Sequence, residues 1–113
     1  GGDFPLWFTP EQVCIIPISE KQNDYASGVF KKLKDAKLRV KLDVRNKSMQ
    51  ARIRDAEKMK IPYIIVVGEK EIDTETISVR ARSNKEEGLM KVQEFIDNLR
   101  EEIRTKETFT NNI

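Results

Sequence analysis

The spacing of apolar residues divides the first third of the chain into a strand followed by a helix. Residues 12–18 are rich in β-branched side chains and almost continuously apolar, which is typical of a strand buried on both faces. Ser19 and Gln22 fit a capping box at the start of a helix. The apolar residues that follow are spaced to form one buried helical stripe, and they are Tyr25, Ala26, Val29, Phe30 and Leu33.

The middle of the chain repeats this order. Residues 38–43 alternate strictly between apolar and polar side chains, which predicts a strand with one polar face. Ser48 can cap a second helix. The apolar stripe of that helix, expected to be core, is Met49, Ile53, Ala56 and Met59. Residues 61–67 are strongly apolar again and predict a third strand, closed by Gly68.

The pattern changes after Gly68. Residues 69–75 are polar, and residues 76–82 alternate with a period of two, so we expect a fourth strand there. The link from the third strand is short enough for a hairpin, which predicts that the fourth strand runs antiparallel to its neighbours.

A last helix is expected after Gly88, with its buried stripe at Val92, Phe95, Ile96, Leu99 and Ile103. From residue 105 to residue 113 no period is visible, which predicts a frayed tail. Right-handed crossovers would make the first three strands parallel. The expected fold class is therefore α/β: a three-layer sandwich in which a mixed, mostly parallel sheet has three parallel strands and an antiparallel edge strand, flanked by three helices.

Composition narrows the classes of function. The chain has 113 residues, enough for one domain, and no histidine and a single cysteine, Cys14. These counts argue against a disulfide, a zinc site and a Cys–His nucleophile, and they fit a reducing, cytoplasmic compartment. The longest apolar run, residues 64–67, is far too short to cross a membrane. We therefore expect an inert Cys14 and no membrane partner.

The positive charge is concentrated in one segment. The formal net charge is only +2, but residues 45–60 contain six basic side chains against two acidic ones. A cluster of this kind is most often a solvated helix face when nothing else accompanies it. The six are Arg45, Lys47, Arg52, Arg54, Lys58 and Lys60.

The predicted fourth strand carries the more unusual pattern, a polar face made of Ser78, Arg80 and Arg82. Such arginines must be solvated, paired or facing a ligand, and Glu71 or Asp73 can pair with them. The loop with Arg45 and Asn46 approaches the same ends of the sheet, where α/β proteins tend to bind ligands.

Arginine, asparagine and glutamate together suit the hydrogen-bonding edges of bases. No glycine-rich phosphate loop and no paired catalytic carboxylates accompany them. On its residues alone, the chain is a binding module rather than an enzyme.

Several segments resemble the anticodon-binding domain of threonyl-tRNA synthetases, which is shared more loosely with the histidyl, glycyl and prolyl enzymes. FPLWFTPEQV at residues 4–13 is similar to the junction that follows the catalytic domain in that family. Further matches recur in register, and the similarity spans residues 2–104. They are RVK at 39–41, DVRN at 43–46, IR at 53–54, PY at 62–63, GEKE at 68–71 and VRAR at 79–82.

The resemblance implies a site that reads the anticodon. The residues that would line it are Asn46, Arg54, Glu71 and Arg80. The side chains that would contact the tRNA backbone or support the site are Arg45, Lys47, Lys58 and Arg82. Two departures from the family pattern bear on structure: Lys37 stands where a glycine is common, and Ser83 stands where a third basic residue often follows.

The resemblance also implies an organisation. Residues 1–10 would be the junction from an upstream catalytic domain, residues 11–104 the anticodon-binding domain, and residues 105–113 the tail. The start at Gly1-Gly2 without methionine suggests a fragment. The parent enzyme would be a homodimer that joins threonine to its tRNA with ATP, Mg²⁺ and a catalytic zinc. The fragment itself would need no cofactor, catalyse nothing, and bind threonine tRNA but not DNA.

Two other functions stay open from the sequence. The first is a protein outside the synthetases that has reused this fold. The second is a flavodoxin-like binder of a small nucleotide at the switch point of the sheet, although Pro17-Ile18-Ser19-Glu20 offers little to a phosphate.

Overall fold

The computed structural model describes residues 10–81 and 86–111, with side chains for residues 10–81 and 88–105. Strands and helices alternate along the first two thirds of the chain. The strands are β1 (Val13–Pro17), β2 (Val40–Leu42), β3 (Tyr63–Val67), β4 (Ile77–Ala81) and β5 (Glu86–Met90). The helices are α1 (Asn23–Asp35), α2 (Met49–Lys58), α3 (Glu69–Thr74) and α4 (Val92–Asn111), with a short 3₁₀ turn, Glu20–Gln22, before α1.

The strands form one mixed sheet in the order β2-β1-β3-β4-β5. β1 pairs in parallel with both β2 and β3, whereas β4 runs antiparallel to β3 and β5 antiparallel to β4. The parallel arrangement of the first three strands and the reversed sense of the fourth are thus confirmed. Crossover helices between parallel strands produce this arrangement because β1, β2 and β3 are each separated by a helix long enough to return the chain.

The predicted edge of the sheet is wrong, because a fifth strand lies outside the fourth. Residues 86–90 have neither alternation nor β-branched side chains, so the sequence gives no strand signal there. Pairing with β4 makes the segment a strand, and the register shifts between Val79 and Arg80. Gly88 lies inside this strand with a φ of 77° instead of leading directly into the last helix.

The link between β3 and β4 is also different from the expected hairpin loop. It contains α3, for which Gly68 is the N-cap residue. The Gly68 N–H donates to Glu71 Oε1 at 2.6 Å, which satisfies a donor at the end of the helix. A Cβ on Gly68 would lie 2.5 Å from Ile18 Cδ1, so a larger residue at the N-cap would require the half-exposed Ile18 side chain to shift.

The end of the chain is more regular than its pattern predicts. Helix α4 continues as far as Asn111, beyond residue 105, where the apolar period ends and a frayed tail is expected. A helix already formed over Val92 and the following turns can extend at low cost, because each added residue gains one backbone hydrogen bond.

The sheet divides the core into two layers, which confirms the expected sandwich. One face packs against α1 and α4 through residues such as Val13, Ile15, Leu33, Ile65 and Phe95. The other face packs against α2 and is smaller. Its buried residues are Cys14, Ile16, Ile53, Ala56, Ile61 and Ile64. Met59, expected in the core, is 47% exposed because it lies beyond the last residue of α2.

Lys37 ends α1 in the backbone conformation that glycine favours. Its φ is 69°. The Lys37 N–H donates to the Lys34 carbonyl at 2.9 Å, and the Leu38 N–H donates to the Leu33 carbonyl at 3.1 Å. These two bonds form a Schellman motif, in which an L side chain at the left-handed position is strained. Lys37 therefore adopts the left-handed conformation that a glycine would take without strain.

Replacing Lys37 with glycine is expected to raise the free energy of unfolding by about 0.5–1 kcal/mol, because the strain of the left-handed conformation is removed. Urea denaturation measures the change. Lys37→Asn should give a smaller gain, and Lys34→Gly, in the last turn of the same helix, should lower stability. A Lys37→Gly protein no more stable than the parent would contradict the strain argument.

Candidate nucleic-acid interface

The second face of the sheet is only partly covered. Helix α2 packs on this face against Cys14 and Ile64, in β1 and β3. Arg80 lies opposite Ile64, and Ser78 lies opposite Val66. Residues opposite one another in an antiparallel ladder share a face, so Ser78 and Arg80 lie on the same side of the sheet as α2. The polar face predicted for β4 is confirmed for these two residues, and Arg80 is exposed.

A cleft of about 190 Å³ runs between α2 and this face of the sheet. Its wall on the helix side is apolar, and its other side combines apolar and polar groups, including a guanidinium. The lining residues are Met49, Ile53, Val66, Ser78, Val79, Arg80 and Gly88. An apolar surface beside a guanidinium suits a flat group with a polar edge, such as an unstacked base.

Arg54 lies on α2 but is not among the residues that line this cleft. Ile53 lines the cleft, whereas Arg52 is buried and bonds to backbone carbonyls in the loops that follow β1 and β2. Residues two apart on a helix point about 200° apart, so Arg54 points away from Arg52. It is exposed. Lys58, in the last turn of the same helix, is exposed as well.

Glu71 is placed differently from the other predicted site residues. It is buried, and one carboxylate oxygen accepts the Gly68 N–H. Within residues 10–81 and 86–111, no ion pair joins Glu71 or Asp73 to Arg80. The pairing that would have made Arg80 an ordinary surface residue is therefore not formed with either of these carboxylates. Arg82, the third member of the predicted polar face, lies outside the described residues.

The loop from residue 43 to residue 48 joins β2 to α2 and carries Asn46, which is exposed. The neighbouring basic residues are already paired. Arg45 donates from Nε to Asp43 Oδ1 at 2.9 Å and from Nη2 to Asp43 Oδ2 at 2.7 Å. Its Nη2 also lies 2.9 Å from Asp55 Oδ2, and Lys47 Nζ lies 3.8 Å from the same oxygen. The hydrogen bonds from Arg45 are the main reason that the pKa of Asp43 is lowered.

Arg52 belongs to the basic cluster of residues 45–60, a kind of cluster that is most often solvated, but the structure buries it. Its Nη1 donates to the Asp43 carbonyl at 3.0 Å, and its Nη2 donates to the Ile18 carbonyl at 3.4 Å. It thereby ties the loops that follow β1 and β2 to α2. One signal is available in the sequence, since Arg52 lies three residues after Met49 and four before Ala56, at the border of the apolar stripe.

Cys14 belongs to the core, as the sequence predicts, and Tyr63 packs against it. Cys14 is buried in β1, and burial raises the pKa of its thiol to about 11. Tyr63 packs edge-on against Phe95 at 5.6 Å between ring centroids and donates to Glu102 at 2.7 Å. These contacts place Tyr63 on the face covered by α4, away from the cleft.

Among the described residues, no helix is long and apolar enough to cross a membrane. The same part of the chain contains no group of three or more His, Cys, Asp or Glu side chains arranged to hold a metal ion.

Comparison with known proteins links this geometry to a family. A family profile described as an anticodon binding domain matches residues 12–102. A threonine–tRNA ligase of Thermus thermophilus is 49% identical over 106 residues, which cover 94% of this chain and 16% of the ligase. The ligase of Acetivibrio thermocellus is 42% identical over 107 residues, which cover 95% of this chain and 17% of that protein.

Solved structures agree with the sequence relatives. The RNA binding domain of threonyl-tRNA synthetase from Cryptosporidium parvum Iowa II superposes with a TM-score of 0.80 at 27% identity, covering 86% of this chain and 24% of that one. Prolyl-tRNA synthetase from Cryptosporidium parvum gives a TM-score of 0.76 at 27% identity, covering 85% of this chain and 21% of the enzyme. The chain therefore belongs to the anticodon binding domain family and is homologous to the anticodon-binding region of threonyl-tRNA synthetases, of whose length it spans about one sixth.

Proposed function

We propose that this chain binds the anticodon loop of a threonine tRNA at the cleft between α2 and β4. The observation that carries the proposal is the exposed residue Arg80, which lines a partly apolar cleft on the part of the sheet that α2 leaves uncovered. Single-stranded RNA is read by splaying bases onto such surfaces and hydrogen-bonding their edges. The relatives of this chain are threonine–tRNA ligases, which supports threonine tRNA as the substrate.

We assign a role to each side chain of the site from its exposure and its ion pairs. Arg80, Asn46 and Arg54 are exposed and meet the bases. Glu71 takes a narrower role than the sequence suggests, because its side chain is buried and one of its carboxylate oxygens already accepts the Gly68 N–H. Lys58 is the best placed of the supporting residues for a phosphate, since the structure pairs the other two that it describes, Arg45 and Lys47, with carboxylates.

The parent protein, on this proposal, is a homodimeric cytoplasmic threonine–tRNA ligase. Its relatives are about six times longer than this chain. The ATP, Mg²⁺ and catalytic zinc of the reaction belong to the part of that protein outside this chain, and this domain contributes recognition. DNA and membranes are not among its proposed partners.

A flavodoxin-like nucleotide site fits the geometry less well. In such folds the first loop after β1 offers its N–H groups to a phosphate. Here the Ser19 N–H donates to Gln22 Oε1 at 2.9 Å, and the Ile18 N–H donates to the Val67 carbonyl at 2.9 Å. These donors are already used within the protein, so they are not available to a bound phosphate.

Binding to a threonine-anticodon stem-loop is expected to weaken moderately with salt. Only a few exposed basic residues can meet phosphates, and three or four such contacts predict a log–log slope of roughly −2 to −3. Fluorescence titration of a labelled stem-loop from about 50 to about 300 mM KCl measures it. A slope near zero, or equal affinity for a stem-loop with an unrelated anticodon, would count against the proposed function. A flavin or mononucleotide serves as the control ligand and should not bind.

A further inference from the structure

The loop that carries Asn46 is held by charged groups at both ends. The Arg45 side chain donates two hydrogen bonds to Asp43, the residue after β2. The same guanidinium reaches Asp55, in the middle of α2, at 2.9 Å. Asp43 is only 3% exposed, whereas Arg45 and Asp55 are 45% and 36% exposed. One side chain therefore ties the end of a strand to a helix across a short surface loop.

The backbone of the loop is fixed by the same residues. The Arg45 N–H donates to Asp43 Oδ1 at 3.2 Å, and the Lys47 N–H donates to the Arg45 carbonyl at 2.8 Å. Nη1 of the buried Arg52 also donates to the Asp43 carbonyl at 3.0 Å. Asn46 thus lies between two residues whose positions are set, and Arg54 is the neighbour of Asp55 along α2.

We propose that Asp43, Arg45 and Asp55 form a clamp that positions Asn46 and Arg54 relative to one another, a role that rests on the proposed anticodon-binding function. Arg45 is then a positioning residue and not a phosphate contact. Three of the five N–H donors of its guanidinium already go to two carboxylates, which neutralise the positive charge that a phosphate would meet. Preorganising a loop improves binding because ordering it then costs less on association.

The direction in which one substitution changes the affinity for RNA distinguishes this proposal from an effect of charge alone. Asp55→Ala removes a negative charge close to a bound polyanion, which by itself strengthens binding and releases part of Arg45 for a phosphate. The clamp predicts the opposite, a loss of about fivefold in affinity for the cognate stem-loop. Glu57→Ala is the matched control, since it removes an exposed carboxylate two residues away on the same helix. It should bind as the parent does or more tightly.

Coupling to Asn46 is the second part of the test. In a protein that already carries Asn46→Ala, the Asp55→Ala change should weaken binding by less than about twofold, because the residue that the clamp positions is gone. Thermal melts of all variants check that the fold is retained. The proposal is overturned if Asp55→Ala tightens binding as Glu57→Ala does, or if its loss adds in full to that of Asn46→Ala.

Amide hydrogen exchange in the RNA-free protein tests the clamp independently of any RNA. Asp55→Ala should speed exchange of the Arg45 and Lys47 amides about tenfold or more, while the amides of β3 stay unchanged. Unchanged exchange in the loop would overturn the clamp even if the stem-loop binds well. A parent domain that binds no stem-loop would instead refute the proposed function, and the exchange result would still decide whether the clamp orders the loop.

Discussion

Replacing Arg80 with alanine is expected to weaken binding of a cognate threonine-anticodon stem-loop by about 1–3 kcal/mol and to relax discrimination at one base. The side chain is exposed at the border of the cleft and is not paired with Glu71 or Asp73 among the described residues. Its loss is therefore expected to remove the proposed base contact and little packing. The free energy of unfolding should change by no more than about 0.5 kcal/mol, as for other surface substitutions.

The measurement compares Arg80→Ala with Lys58→Ala on the cognate loop and on loops changed at single anticodon positions. Lys58 is exposed on α2 and is expected to meet a phosphate. Its loss should weaken every loop alike and make the salt slope shallower by about 0.7. If Arg80→Ala binds the cognate loop like the parent, or weakens all loops equally, the assignment of the cleft is wrong although the family is right.

The second large effect concerns stability. Arg52→Met is expected to lower the free energy of unfolding by about 2–3 kcal/mol, because the Asp43 and Ile18 carbonyls lose the charged donor that satisfies them. Urea denaturation gives the value. Arg54→Met, two positions along the same helix and exposed, is the matched control and should change stability by less than about 0.5 kcal/mol.

Burial also destabilises the charged Arg52 side chain. Either outcome of the denaturation experiment is therefore informative. Its Nε has no hydrogen-bond partner within the described part of the chain, and a buried guanidinium carries a desolvation penalty. If Arg52→Met unfolds at the parent's urea concentration or above it, the penalty equals or exceeds the gain from the two carbonyl bonds. The link from α2 to the ends of β1 and β2 would then come from packing alone.

Local signals predict the parts of the fold that lie close together in the chain. The sequence predicts the strands β1 and β3 and the helices α1, α2 and α4. Within each of them, the spacing of the apolar residues indicates which side is buried. Ser48 is identifiable as a cap because its partner, the Ala51 N–H, is three residues away. Glu71 offers a similar signal through Gly68, but the polar composition of residues 69–75 is equally typical of a loop, and the helix there is not predicted.

The candidate site likewise has features that local sequence patterns predict and contacts between distant residues that they do not. Alternation alone places Arg80 and Ser78 on a polar strand face, and the family resemblance supplies residues such as Asn46 and Arg54. The pairing of Arg45 with Asp55 and the bond from Arg52 to Ile18 join residues ten and 34 positions apart. No period or short motif encodes such contacts, so the usual interpretation of a basic cluster as solvated does not hold for buried Arg52 and does not include the pairing of Arg45.

The pattern of residues along the chain is sufficient for the class of fold, the sense of the first four strands, the polar face of β4 and the family. Each of these depends on periodicity, capping or motif residues within one element. Only the tertiary structure shows that β5 is an edge strand of the sheet and that α2 leaves β4 uncovered. It also shows that Arg52 is buried while Arg80 is exposed. The reason is physical: whether a charged side chain is solvated or buried depends on which distant backbone groups reach it, and those are set by how helices and strands pack together.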